Sequence, residues 1–574
     1  MSGLTRRGLT ALGGGAALQT LLAGGVRAGA GPRPDILLLV LDDAGYSDLG
    51  CFGSEIRTPH IDALAAGGLR YNRFDTRAQC SPTRAALLTG RNNHTVRMAE
   101  LPSRLKAPNP ADNSKTKGEL PANVETVAEA LRTAGYATSA VGKWHLSPAY
   151  EGGPDERGPG SGIDPGGPKA SWPLQRGFDR YYGFLGGWTS HWAPSLVEDN
   201  RMVPTPTRPG YHLTEDLVDR AIAWSPAKTA EKPSFMYLAF GAPHSPLHPP
   251  RAYLDRYADR YVAGWDRLRD ERFRRMRRLG VIPASAALSE RAPEDATWDS
   301  LTDEQRRIYA RYMAAYAGFL EHTDAQIGRL IAHLKATARF DNTLILLTSD
   351  NGAAAEGGAT GGFRKPYGDT TPPAEIAAHL DELGAAATMP LYQRAWARAG
   401  VTPFRGHKAT LYAGGLRTPL IVSWPRGIAA RGAVRDQNVD VIDIAPTLLD
   451  VAGARFATTR DGAPLIPVAG ASVRGTFTSA QARTRQTQFF EFRGARAIRV
   501  GPWKAIATHK PGTPFESDRW ELFDTATDFS EVRDVAAQHP DRLKALQDAW
   551  WTEARRYADP PLAEFVPPHL QGRP

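Results

Sequence analysis

Cys80 is followed by Ser81, Pro82, Thr83 and Arg84, and then by Ala85-Ala86-Leu87-Leu88-Thr89-Gly90-Arg91. This stretch favours a helix: Ser81 is a good N-cap, Pro82 suits the first helical position, the apolar run propagates the helix and Gly90 ends it. Cys80 then sits at a helix N-terminus, where unpaired N–H groups and the positive end of the dipole favour an anion. Arg84, four residues on, shares its helical face. A nucleophile and a fixed cation would share one anion-binding pocket.

Other reactive side chains follow apolar runs. Residues 36–41 are unbroken Ile, Leu and Val and end in Asp42-Asp43; residues 343–348 repeat the pattern and end in Asp350-Asn351. Such runs suit strands of a parallel sheet buried on both faces, and functional groups gather at the carboxyl ends of these strands. Two adjacent carboxylates repel unless a cation lies between them. A hard divalent ion with oxygen ligands is the natural partner, and the second acid/amide pair supplies the remaining oxygens. A third strand, 136–141, leads to Lys143 and His145, which point to one side of the chain if its extended geometry continues. A fourth, 235–240, leads to His244, whose flanking Pro243 and Pro246 favour extended backbone. His248 reads as structural. Lys408 lies ahead of a strand at 420–423.

The elements that must position these groups alternate strand and helix. Helices are expected at 125–134, as a helix or helix pair in the Arg-rich stretch 251–280 with a solvated, charge-paired face, at 303–334 and at 443–451. Gly- and Pro-rich stretches at 152–168 and 357–387 suit loops at the rim of a site. Beyond Gly453 the pattern changes to short strands at 488–492, 497–500, 503–507 and 520–523, an antiparallel sheet covered by a terminal helix at 541–557.

The Cys80-x-Pro82-x-Arg84 stretch with its Leu-Leu-Thr-Gly-Arg tail resembles the signature of the type I sulfatases, most like bacterial arylsulfatases. Asp42-Asp43, Gly142 to His145, Ala242 to Pro246, Asp350-Asn351-Gly352, Lys408 with its Gly-Gly-x-Arg tail and Arg499 to Lys504 follow in that family's order. The resemblance implies the α/β alkaline phosphatase-like sandwich, around a large mixed, mostly parallel sheet, with a catalytic domain over 33–452 and a smaller C-terminal domain over 453–574. It implies Cys80 oxidised to formylglycine by a formylglycine-generating or radical maturation enzyme. One calcium ion would be held by Asp42, Asp43, Asp350, Asn351 and the modified Cys80. Hydrolysis of a small-molecule or glycan sulfate ester would then use Arg84, Lys143, His145, His244, Asp350 and Lys408. One departure is Ala413, where many relatives carry Glu or Gln. Two other readings stand beside it: a phosphonate monoester or phosphodiester hydrolase of the same superfamily, and a non-catalytic, calcium-dependent anion binder that keeps Cys80 as a thiol.

The 574 residues carry a net charge of +9 with no long basic block, which suits an anionic small substrate and argues against nucleic acid. Two cysteines allow at most one disulfide, and a reactive Cys80 leaves Cys51 as a small buried thiol. Residues 1–30 read as an export signal: Arg6-Arg7 precede a weakly apolar, Gly-rich run, and Ala28-Gly29-Ala30 offers a cleavage site. The paired arginines resemble a twin-arginine signal, which would hand the folded protein to the twin-arginine machinery and deliver a periplasmic or secreted enzyme with no stable membrane span.

Overall fold

Four apolar segments form adjacent parallel strands at the centre of a ten-stranded mixed sheet. They are β1 (Asp35–Leu41), β2 (Ala137–Lys143), β3 (Ser234–Ala239) and β4 (Thr343–Ser349), in the spatial order β4-β1-β3-β2. The computed structural model describes residues 33–102, 118–147, 169–227, 231–365 and 369–558. The export-signal segment 1–30 and the expected loop 152–168 lie outside the described residues.

Alternation along the strands builds two cores. Leu37, Leu39, Leu41, Met236, Leu238, Ile345 and Leu347 face one side, and Ile36, Leu38, Val40, Phe235, Tyr237, Leu344 and Leu346 the other. On the second face lie α1 (Cys80–Thr89), through Ala85 to Leu88, and the helix Ile444–Ala452. On the first lies α2 (Asp303–Ala336), whose start is fixed by a capping box between Thr302 and Gln305. The result is a helix–sheet–helix sandwich with a mostly parallel sheet, as the sequence leads one to expect; Leu420–Ser423 runs antiparallel to β4. Among the described residues no helix is long and apolar enough to cross a membrane.

The Arg-rich stretch is a helix pair, Arg251–Asp255 and Gly264–Arg278. Its solvated face carries the expected pairs, Arg251 with Asp255 and Arg267 with Glu271. Arg272, however, turns inward and is fully buried, donating to Asp48 at 2.6 Å and to Glu55 at 2.8 Å. Asp48 also accepts from the Gly45 amide and the Tyr316 hydroxyl, so this arginine braces the turn that carries Asp42 and Asp43. The stretch 357–387 is not loop throughout: Pro373–Ala378 is a short helix, with Pro373 suited to its first position.

The C-terminal strands Thr487–Phe492, Ala495–Val500, Trp503–Ala507 and Trp520–Asp524 form a separate antiparallel sheet. One face packs Phe489, Ile498, Ala505 and Leu522 on Leu546, Trp550 and Ala554 of the helix Pro540–Tyr557. The other face, Phe490, Phe492, Ala497, Ile506 and Phe523, packs on Ala78, Leu411 and Leu416. These neighbours flank Cys80 and Lys408, so the small sheet supports the ground on which both stand. Phe523→Ala, at a position with no exposure, should cost about 3–5 kcal/mol, read as a lowered denaturation midpoint. A loss below about 1 kcal/mol would mean that this sheet is not packed into the main body.

Candidate active site

Strand register brings the reactive residues together before any side-chain contact is made. Leu41 pairs with Ser349 and Val40 with Ala239, so Asp42, Asp350 and the turn at 241–244 leave the sheet at one edge. The Asp350 amide donates to Leu41 O, and the Asp42 amide to Ala242 O. Lys143 ends β2 on the same edge. Asp42, Asp43, Cys80, Arg84, Lys143, His145, His244, Asp350, Asn351 and Lys408 are all buried.

Each carboxylate has its own cation. Lys143 Nζ donates to Asp42 Oδ2 at 2.7 Å, and Lys408 Nζ to Asp43 Oδ2 at 2.9 Å. Arg84 donates from Nε and Nη2 to Asp350 Oδ2, at 3.0 and 2.6 Å. Burial raises the Asp42 carboxyl to about 6 against the pull of Lys143. Burial also acts on Asp43, but Lys408, His244 and Lys143 outweigh it and hold the group at about 2. Burial disfavours the charged Arg84 guanidinium, yet the adjacent acidic groups, Asp350 and Asp42 among them, more than offset this and raise its pKa.

The donor set fits a hard cation. Asp42 Oδ1 and Asn351 Oδ1 are buried and accept no hydrogen bond, which is costly for polar oxygens unless something positive completes them. Asn351 Nδ2 donates to Asp43 Oδ1 at 2.6 Å, and the Asp43 amide to Asp350 Oδ1 at 3.3 Å, so three of the four expected ligands form one connected group and Asp42 adjoins it in the chain. Ligand atoms of Asp42, Asp43 and His244 lie within 4.8 Å of one another. Carboxylates and an amide oxygen suit calcium or magnesium better than a soft metal.

Cys80 is the first residue of α1, with Gln79 as N-cap, so Ser81 lies inside the first turn instead of capping it. Its hydroxyl donates to the carbonyl of His145 at 2.8 Å. Pro82 is tolerated because first-turn N–H groups have no helical acceptor. Gly90 ends the helix in the left-handed region, as expected. Cys80 Sγ lies 3.2 Å from His145 Nδ1. Burial pushes the thiol up to about 11 and holds His145 well below its ordinary value, with Lys143 and Arg84 adding to the latter.

Two local expectations fail while their residues still reach the site. His145 is not extended but has φ +56°, fixed by its amide bond to Leu185 O and by the Ser81 hydroxyl. His244 sits in a turn closed by its amide on Gly241 O, with Nε2 3.5 Å from Asp43 Oδ2. His248 stays apart from the reactive groups, bonded to Thr388 O and the His191 amide. Ala413 presents its amide to Glu531, which also holds Lys504 at 2.7 Å; the C-terminal segment thus supplies a carboxylate at this turn.

Three partners were not anticipated. Tyr237 donates no visible sequence signal, since it sits in an apolar strand, yet its hydroxyl accepts from Arg84 Nη1 at 3.1 Å. Glu356 lies 3.0 Å from Lys408 Nζ; an isolated acid in a Gly/Ala-rich run was its only trace. Gly187 lies against the His145 ring, with room for no side chain. In the metal-free protein, Arg84→Met leaves the buried Asp350 carboxylate without its guanidinium and should cost about 3–5 kcal/mol, read as a lowered midpoint in the presence of chelator. An unchanged midpoint would show that the pair carries no such load.

Comparison with known proteins identifies the family. The sulfatase family model matches residues 34–454, and a model of the C-terminal region of N-sulphoglucosamine sulphohydrolase matches 406–553. An uncharacterized sulfatase of Schizosaccharomyces pombe is 32% identical over 90% of this chain and 93% of its own. An arylsulfatase of Klebsiella aerogenes is 31% identical over 82% of this chain and 98% of its own. Among solved structures, phosphonate monoester hydrolase of Agrobacterium radiobacter shares the fold, with TM-score 0.56 and 20% identity over 92% of this chain and 96% of that one. The chain therefore belongs to the sulfatase family: it is a type I sulfatase of the alkaline phosphatase superfamily, a sulfuric ester hydrolase.

Proposed function

We propose that the chain hydrolyses aryl sulfates to a phenol and inorganic sulfate, with Cys80 carried as formylglycine and one calcium ion held by Asp42, Asp43, Asp350, Asn351 and the modified side chain at 80. The observation that carries this reading is the buried Cys80 side chain, 3.2 Å from His145 Nδ1, in the same pocket as the unpartnered oxygens of Asp42 and Asn351. Calcium would supply Lewis-acid polarisation of the sulfate oxygens and ease loss of the attacking proton. Formylglycine would supply a hydrated aldehyde with two hydroxyls, one to attack sulfur and one whose deprotonation releases sulfate.

The chain's own residues then divide the work. Arg84 and Lys143 offset charge on the sulfate oxygens. Asp350 would accept a proton from the attacking hydroxyl that the modified side chain supplies, and His145 Nδ1 would accept one from the other. Burial, with Lys143 and Arg84, disfavours the charged form of His145, which leaves a ring nitrogen unprotonated. His244 and Lys408 are the two groups from which the leaving oxygen would take its single proton. The same burial that suits this chemistry makes the unmodified thiol a poor nucleophile, since a pKa of about 11 leaves almost no thiolate at neutral pH. It also places the thiol out of reach of a maturation enzyme in the folded chain, which favours modification in the cytoplasm before folding. Export of the folded enzyme through the twin-arginine route would follow, to the periplasm or beyond.

The test is peptide mass spectrometry across Cys80 with an assay on a chromogenic aryl sulfate and a phosphodiester. Expected are a Cys80 peptide about 18 Da lighter than its unmodified form, faster turnover of the sulfate, and abolition by Cys80→Ala. Chelation should silence the enzyme and calcium restore it. An unmodified thiol with no turnover would sink the catalytic reading, and faster phosphodiester cleavage would reassign the substrate. A second outcome follows from Gly187, where an added Cβ would stand 2.7 Å from His145 Cε1. Gly187→Ala should therefore displace the ring and lower kcat/KM by about 10- to 100-fold with the midpoint of unfolding little changed. Unimpaired turnover would remove His145 from the proton path.

A further inference from the structure

The carboxylate of Glu356 stands against Lys408, one of the cations of the candidate site. Its Oε1 lies 3.0 Å from Lys408 Nζ; the Lys408 side chain is 2% exposed and that of Glu356 29%. The lysine is thus buried, and the acid paired with it is partly open to solvent. Lys408 Nζ is itself 2.9 Å from Asp43 Oδ2, which fixes the ammonium on the reactive side of the pair. On the reading above, Lys408 serves the leaving oxygen, which must then come within about 3 Å of Nζ. The Glu356 oxygen is consequently no more than about 6 Å from that oxygen, close enough to sense what is attached to it.

The three buried carboxylates Asp42, Asp43 and Asp350 are each matched by one cation, so Glu356 is a further negative charge with only a shared claim on Lys408. A fixed anion at that point repels a second anionic group on the substrate and accepts hydrogen bonds from hydroxyls. We propose that Glu356 is a specificity-determining residue that selects sulfate esters whose leaving group is uncharged and hydroxyl-bearing, and discriminates against those carrying a carboxylate, a phosphate or a second sulfate. This rests on the sulfatase reading of the site. It asks nothing of Glu356 in the chemical step, and so predicts a change in the ratio between substrates, where a merely structural partner of Lys408 would alter both substrates alike.

The experiment compares 4-(hydroxymethyl)phenyl sulfate with 4-carboxyphenyl sulfate on the matured, calcium-loaded enzyme, for the wild type, Glu356→Gln and Glu356→Ala. The wild type should favour the neutral ester, and both substitutions should shift the kcat/KM ratio toward the carboxylated one by about tenfold or more. In the wild type, raising the salt to about 0.5 M should narrow the preference, because the acid is partly exposed. As a readout free of turnover, the Kd ratio of the two esters on Cys80→Ala should move the same way when Glu356→Gln is added. The salt dependence of the wild-type preference stands even if the Glu356 variants express poorly. Neutral-ester turnover with a ratio unmoved by substitution and by salt would overturn the assignment. Absence of turnover on both esters in a wild type shown to carry formylglycine and calcium would overturn the aryl sulfate reading, and this inference with it.

Discussion

Three carboxylates buried at one sheet edge are the constraint on which the rest of the structure depends. Asp42, Asp43 and Asp350 are shielded from water, and charges of one sign cannot be held so close without compensation. Lys143, Lys408 and Arg84 provide it, and they come from widely separated parts of the chain. The site therefore exists only when β1, β2 and β4, α1 and the turn at 406–410 are all in place. Any element that drifts leaves a charge unpaired, so the pairs define the docking of the elements as much as the elements define the pairs.

The compensation extends outward in layers. Asp48, one turn beyond Asp43, would be a fourth buried acid, and the buried Arg272 with the Tyr316 hydroxyl satisfies it. Behind Lys408, Ala409 donates to Ala78 O, linking the lysine turn to the approach to Cys80, and the C-terminal sheet packs beneath both through Phe490 and Ile506. Glu531 reaches the same region from the far side, taking the Ala413 amide and Lys504. The smaller sheet thus supports the candidate site from beneath, through contacts with the segments that carry Cys80 and Lys408.

What could be read beforehand follows from this physics. An apolar run closed by an acid pair is a statement about a buried parallel strand, and β1 and β4 were legible for that reason, as was α1 from its apolar run and Gly90. Lys143 and His145 were legible by position but not by conformation. The route to His145 depends on Leu185 O and the Ser81 hydroxyl, neither adjacent in sequence. The N-cap was misplaced because Ser81 has a second use for its hydroxyl, which local propensity does not register. Tyr237 and Glu356 were illegible for opposite reasons. The first hides among core aromatics, and the second sits in a Gly/Ala-rich run whose path is decided by contacts far along the chain.

The geometry also weighs the readings against each other. A protein that bound anions through an unmodified Cys80 would have little use for His145 at 3.2 Å from the sulfur, because neither group titrates near neutrality and both are shielded from solvent. A binder would be better served by exposed donors than by cations already committed to carboxylates. A hydrolase has reasons for both features. The His145 ring lies beside the side chain at 80, and the cations are held in place by the carboxylates in advance, so that a charge developing near them would find them already oriented. The oxygens of Asp42 and Asn351 that accept no hydrogen bond complete the argument, since buried acceptors of this kind are costly alone and suit a hard cation.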